Sequence, residues 1–350
     1  MLLPLSCRSA RARRCTQLAL VLLAGLALML MLASAARATD RISIIQGPNA
    51  IVRAISEPDV NGTRYLGGGF TAFDPWGTGS GALVGTTSGA VNPAFPKVEG
   101  GNVNAAAPDG SGGFYIGGSF ISVNGTPRSY AAHINADGSL DAAWNPSPSA
   151  TVYALAVSGS TVYLGGNFTT VGGTTRNRAA AVSTNGTLTD WNPNLNSGVS
   201  AIAISGSTVY LGGGFTTVGG TTRNRAAAIG TDGTLTNWNP NANNTVNALA
   251  IAGSTVYLGG FFTTVGGTPR TYVAAVGTDG TLTSWDPNPN NVVSAIAVSG
   301  STVYLGGSFT AVGSALRSGV AAVGTDGTLT DWNPNPNGAV LAIAVSGSTA

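Results

Sequence analysis

Short apolar runs, each closed by glycine, asparagine or proline, follow one another along the chain, and their order recurs. In one copy, Val199-Ser200-Ala201-Ile202-Ala203-Ile204 reads as a β-strand and Ser205-Gly206-Ser207 as a tight turn. Thr208-Val209-Tyr210-Leu211 is a second strand, halted by Gly212-Gly213. A stretch rich in Gly and Thr, Phe215 to Asn224, precedes a third run from Arg225 to Ile229. Asp232-Gly233 then reads as a hairpin turn, and Thr234 to Trp238 as a fourth strand. Asn239-Pro240-Asn241 ends it, because proline has no donor for a ladder.

The tryptophans set the period. Trp144, Trp191, Trp238, Trp285 and Trp332 follow one another at the same interval (238 − 191 = 47 residues). Periods of this size mark solenoids, propellers or arrays. Four antiparallel strands per period predict a propeller blade. Small residues on the first strand, as in Ala201-Ile202-Ala203-Ile204, suit the crowded axis, and parallel β-solenoids usually have shorter coils. Looser copies lie upstream: Tyr65-Leu66-Gly67-Gly68-Gly69-Phe70 matches Tyr210 to Phe215, and Phe95 takes the tryptophan position. Six repeats result, centred on Tyr65, Tyr115, Tyr163, Tyr210, Tyr257 and Tyr304, and Val340 to Val345 opens a seventh. The expectation is an all-β propeller of six to seven four-stranded blades over residues 39–350. The seventh repeat stops inside its first turn, so the chain reads as part of a longer protein; the alternative is a closure that pairs the last strand with residues near Ile44.

Residues 1–38 have the pattern of a secretory signal peptide: Arg8, Arg11, Arg13 and Arg14, an uncharged run from Leu18 to Ala33, then Ala36-Arg37-Ala38. An uncleaved anchor is the other reading, although the run falls short of the ~20 residues a spanning helix needs. The leader holds five basic residues, no acid and both cysteines, Cys7 and Cys15. The mature chain therefore has 16 − 5 = 11 basic residues against 14 acidic ones, a charge of −3. It has no disulfide, no membrane span and no basic stripe for nucleic acid. A secreted protein is expected, extracellular or on the cell surface, with the periplasm as the alternative.

The layout of inner strand, VYLGG, long loop and DGTLTDW resembles a kelch blade. It is closer to the delta-60 repeat propellers of bacterial secreted proteins, through Ala107-Pro108-Asp109-Gly110, Tyr115 to Phe120, Arg128 and Asp137-Gly138-Ser139-Leu140-Asp141. The resemblance covers about residues 50 to 346 and implies a secreted β-propeller. It brings no catalytic residue with it.

Catalytic equipment is sparse. His133 is the only histidine, and with no mature cysteine a Ser-His-Asp triad, a metal site or a galactose-oxidase type of centre is not expected. His133 aligns with Ala181 and reads as a packed or rim histidine. No cofactor is expected. Asp137, Asp232, Asp279 and Asp326 precede glycine and read as turn residues. Glu57, Asp59, Asp74 and Glu99 form the remaining acid/base pool for a glycosidase or lyase. Gly77-Thr78-Gly79-Ser80-Gly81-Ala82 fits a dinucleotide motif in letters only, since no strand–helix unit surrounds it.

Alternation of strands sends the minimal turns to one end and the long loops, between strands two and three and between blades, to the other. Binding residues concentrate on long loops held by a rigid scaffold. Asn167, Phe261 and Tyr272 vary there within a repeated framework, and Arg176, Arg223, Arg270 and Arg317 recur at one position. The arginines suit either an anionic ligand or the capping of carbonyls in their own blade. The function expected is a non-catalytic binding scaffold for a protein or polysaccharide partner, with a carbohydrate-active enzyme as the alternative.

Overall fold

The computed structural model describes residues 50–70, 72, 79–85, 90–92 and 95–345. The leader, Ile44, Asp74, the first two residues of the glycine-rich motif at 77–82 and the final turn lie outside the described residues. Every regular element described is a strand, and no described helix is long and apolar enough to cross a membrane.

Among the described residues, six three-stranded antiparallel sheets follow one another in sequence, one per repeat, and a seventh adds Val98–Glu99 to the small hairpin of the second repeat. In the fourth repeat the three strands are Val199–Ser205, Thr208–Gly213 and Ala226–Gly230. The middle strand, Thr-Val-Tyr-Leu-Gly-Gly, is buried at every position after its threonine. A strand buried on both faces must lie between two other layers. The glycines show how close those layers come: a Cβ on Gly212 would lie 2.8 Å from Val246 Cγ1 of the next repeat. The same relation joins Gly67 to Val103, Gly117 to Val152, Gly165 to Val199, Gly259 to Val293 and Gly306 to Val340. Each sheet thus seats the inner strand of its successor on its middle strand, and the apolar cores sit between sheets. One core combines Tyr163, Ala181 and Trp191 with Val209, Leu211 and Ile229 of the following repeat.

The fourth strand is shorter than its sequence predicts. Leu235 makes a single bridge to Ile229, and the ladder ends there. Thr236 explains the stop. Both its N–H (3.0 Å) and its hydroxyl (2.9 Å) donate to the Ala228 carbonyl, while the hydroxyl accepts the N–H of Trp238 at 3.2 Å. A hydroxyl that offers the backbone a local partner competes with the ladder. Trp238 therefore lies beyond the sheet edge rather than on an outer strand. It is 4% exposed, packs edge-on to Tyr210 (centroids 5.1 Å apart) and donates from Nε1 to Gly277 O of the next repeat at 2.9 Å. Trp144, Trp191 and Trp285 make the same reach to Ser183, Gly230 and Gly324.

Turn chemistry fits each connection. Gly206 alone has positive φ in the two-residue turn after the inner strand, the φ pattern of a II′ hairpin. Asp232-Gly233 is not a two-residue turn: Gly233 N bonds to Gly230 O and Gly230 N to Thr234 O, and only Gly233 has positive φ. That is a three-residue loop, a tight turn closed by a glycine bulge. The stretch read as loop between strands two and three contains a hairpin of its own, Thr217–Val218 with Thr221–Thr222, around Gly219-Gly220. Both glycines have positive φ, as a type I′ turn requires.

Candidate binding face

The end of the sheets that carries the small hairpins is tied together by asparagine. Asn196, in the connection between repeats, accepts the N–H groups of Thr216 (2.9 Å) and Thr217 (3.1 Å) and donates to Thr216 Oγ1 (2.7 Å). Asn243 and Asn290 repeat the clamp on Thr263 and Thr310. Asn177 donates to Asn194 at 2.7 Å, and Asn194 sits at φ 54°, a left-handed geometry asparagine tolerates. Much of the Asn and Thr on this face is therefore already satisfied within the protein.

The recurring arginines are engaged too. Arg176, Arg223, Arg270 and Arg317 each donate from Nη1 to the preceding carbonyl and from Nη2 to a threonine carbonyl in the fourth segment, the latter at 2.8 Å. Their Nε groups, and that of Arg128, are buried without a partner. Arg270 also lies 3.6 Å from Asp286. This is the carbonyl-capping geometry, in which the planar fork bridges two segments of one repeat. It leaves the guanidinium half-buried rather than turned out to a ligand.

Two residues further on, a left-handed position recurs that sequence reading missed. Tyr130, Arg178, Arg225 and Tyr272 have φ of 64–70°, and Gly319 takes the place in the sixth repeat. Arg178 donates to Asn167 O, and Arg225 to Gly214 O. Asn167 in turn donates from Nδ2 to Tyr153 Oη at 3.0 Å. At the position equivalent to Asn167, Phe261 stands 48% exposed. Tyr272 is half-buried against the core that holds Trp285.

Inside this rim lies a cavity of about 290 Å³ at the long-loop end of the inner strands. Arg53, Asn104 and Tyr153 line it from the first three repeats, Ser200, Asn247 and Ser294 from the next three, and Leu341 from the seventh inner segment. That segment packs on the sixth sheet through Ile343 and Val345.

The acid/base pool is scattered by the topology. Asp59 accepts the N–H groups of Asn61 (2.9 Å) and Thr63 (2.7 Å) in the turn of the first repeat, beside Glu57. Glu99 pairs with Lys97 at 2.6 Å on the strand that meets the hairpin of the second repeat, at the opposite end of the sheets. The strand that separates the two ends, Thr63–Gly68, spans about 20 Å, against the roughly 5–9.5 Å a glycosidase pair needs.

His133 is packed, as its alignment implies, but with partners the sequence did not reveal. Its Nδ1 is 3.0 Å from Asp141 Oδ2 and its Nε2 3.1 Å from Asp109 Oδ2, and it stacks on Tyr115 at 4.2 Å. Ionised carboxylates only accept, so a ring N–H is the group that donates to either of them. Burial pushes the Asp109 carboxyl up, but hydrogen bonds from the Ser111 N–H and hydroxyl, His133 and the Gly113 N–H outweigh it and hold it below the usual range. Asp141 is lowered in the same way: burial opposes, while His133, the Ala143 and Trp144 N–H groups and the His133 charge prevail. Burial, then the two carboxylates, pushes Tyr115 up to about 12, which keeps it neutral.

Depressed folded-state values make the unfolded chain the first to take up protons as pH falls. Stability from this network should be complete above about pH 4 and drain away below it, as pH drops through the folded values. Urea unfolding at a series of pH values checks this, and Asp109→Asn should flatten the acid slope. His133→Ala should cost about 2–3 kcal/mol, since it leaves two carboxylates facing a void. A His133→Ala protein with an unchanged urea midpoint would refute the reading.

Comparison with known proteins supports the fold. Residues 108–143 match the model of a family described as a beta-propeller domain of unknown function (DUF5122). The matched stretch carries the motifs on which the delta-60 resemblance rests. No curated protein matches the chain. Among solved structures, the crystal structure of the computationally designed Ika8 protein is similar, with a TM-score of 0.53 and 14% identity, covering 86% of this chain and 92% of that one. An identity that low speaks for fold alone. Among the described residues the chain is an all-β repeat protein, and residues 108–143 are similar to a β-propeller family.

Proposed function

We propose that the protein is an exported β-propeller that acts as a non-catalytic binding scaffold for a protein or polysaccharide partner, through the face that carries the long connections. Export rests on the leader pattern of residues 1–38. A ring of seven repeats is the arrangement best supported, because one cavity is lined once by each of seven successive inner segments, Arg53 at one end of the series and Leu341 at the other. Its blades are four-segment units whose last segment is reduced to a leucine bridge.

The observation that carries the binding reading is the contrast across this face. A repeated lattice of Asn, Thr and Arg is satisfied internally, while the residues that differ between copies, Phe261 and Tyr153 among them, are exposed. A rigid lattice with variable, exposed tips is the usual arrangement of a recognition surface. A glycan array and a pull-down with the exported chain test it. Phe261→Ala should weaken capture of the partner at least about tenfold, the loss expected for an aromatic anchor, and leave the melting temperature unchanged. Asn167→Ala should give a smaller loss by releasing Tyr153. Capture that survives both changes but falls on substitution in the Gly206-Ser207 turns would move the site to the other end.

A further inference from the structure

One position in every repeat is varied where its neighbours are fixed. The inner segments open Val52-Arg53-Ala54, Val103-Asn104-Ala105, Val152-Tyr153-Ala154 and Val199-Ser200-Ala201, then Val246-Asn247-Ala248, Val293-Ser294-Ala295 and Val340-Leu341-Ala342. The valine is a packing requirement: Val103, Val152, Val199, Val246 and Val293 are fully buried, each against a glycine of the repeat before. In all six laddered inner strands the register slips between this valine and the alanine. A bulge leaves its extra residue unpaired and re-aims the side chain. The six re-aimed side chains, together with Leu341, line one axial cavity. A scaffold that holds two positions and frees the third, at the same depth in every copy, presents a site.

Its chemistry differs from that of the rim. Arg53 is the only charged residue in the lining, it is exposed, and no described group forms an ion pair or hydrogen bond with it. The side chains of Ser200, Asn247 and Ser294 also have no partner among the described residues, unlike the clamped asparagines outside. Asn104 donates to Val152 O at 3.2 Å and keeps its amide oxygen free to accept. Tyr153 accepts from Asn167 and keeps its hydroxyl proton free to donate.

We propose that this cavity binds a carboxylate-bearing sugar, a hexuronate that is either free or at the end of an acidic polysaccharide. The proposal takes the binding reading of this face as given. An unpaired guanidinium fork matches a carboxylate bidentately. Serine and asparagine side chains around it offer both donors and acceptors, which is what a ring of hydroxyls requires. The Tyr153 ring covers the apolar face of the sugar. A volume near the lower end of ligand pockets, about 300–1,000 Å³, fits one sugar ring better than a length of polymer.

Calorimetric titration of the exported chain with galacturonate, galactose and a trigalacturonate tests this. Galacturonate should bind about tenfold or more tightly than galactose, the discrimination expected of one charged hydrogen-bonded pair. Arg53→Gln should abolish that preference and leave the melting temperature as it was, because the Arg53 side chain has no partner among the described residues. Ser200→Trp, which fills the cavity, should abolish both. Tighter binding of the trisaccharide would identify a polymer end as the ligand and equal binding the free sugar; either supports the site.

Equal affinity for galacturonate and galactose, or a preference that survives Arg53→Gln, overturns it. So does tighter binding of a peptide C-terminal carboxylate than of any uronate. Should no uronate bind while partner capture still depends on Phe261, the axial site falls and the binding face stands. Loss of Phe261 dependence with uronate binding intact gives the converse.

Discussion

Trp238→Ala is expected to lower stability by about 3–5 kcal/mol, the usual cost of emptying a buried tryptophan site. Three contributions meet at this side chain. The indole fills the core between the fourth and fifth repeats, where it packs with Ala242, Val246 and Leu258. It sits edge-on to Tyr210 at an interplanar angle of 88°, an arrangement worth about 0.5–1.5 kcal/mol beyond burial. Its Nε1 holds the Gly277 carbonyl across the gap between sheets. Trp238→Phe separates these: it keeps most of the packing and loses the hydrogen bond, which should cost about 1–2 kcal/mol. Urea unfolding followed by circular dichroism measures both. A Trp238→Ala loss under 1 kcal/mol would mean that the indole does not join the sheets. Trp332 gives an internal contrast, since it packs edge-on to Tyr304 but is only half-buried, so Trp332→Ala should cost markedly less.

The period and the strand order were legible because they are written in residues whose roles are local. Gly206 and Gly233 turn the chain wherever they occur, and Thr-Val-Tyr-Leu can only be a buried strand. The small hairpin around Gly219-Gly220 was equally readable, since a glycine pair between threonine-rich runs is a turn signal; its shortness hid it. The end of the fourth strand was not readable. Thr234-Leu235-Thr236 alternates as a strand does, and only the position of the Thr236 hydroxyl over Ala228 O shows that the ladder stops.

The sites divide in the same way. The arginines recur visibly, yet whether a guanidinium faces solvent or a carbonyl depends on the fold of a segment thirteen residues on. Asp109 and Asp141 stood out only as parts of the stretches that carry the delta-60 resemblance. Their convergence on His133 needs three segments in register, and one sequence does not reveal that. The axial position carried a signal that was present and unread: seven Val-x-Ala triplets in which only the middle residue changes.

The glycine doublet that closes each middle strand supplies the second large effect. A Cβ on Gly213 would lie 2.1 Å from Gly198 O and 3.0 Å from Val199 Cα, both backbone atoms of the neighbouring inner strand. No rotamer relieves such a contact, because the obstacle is the strand with which Gly213 pairs at Val199. Either the ladder opens at the bulge or the neighbouring inner strand shifts away. Overpacking in a responsive core costs about 1–3 kcal/mol, and a clash against backbone belongs above that range, so Gly213→Ala should cost about 3–4 kcal/mol. The equivalent change at Gly166 meets Thr151 O at 2.2 Å and should behave alike. Gly214, one residue on, is the control: its nearest neighbour is Ser197 Oγ at 3.4 Å, and Gly214→Ala should change stability by no more than about 0.5 kcal/mol. The three variants measured side by side decide whether the doublet is there for close approach of strands. Equal losses at Gly213 and Gly214 would show instead that the cost comes from the general flexibility of glycine. Because Gly213 abuts the bulge that carries Ser200, its substitution should also disturb the axial cavity, whereas Gly214→Ala should leave ligand titrations unchanged.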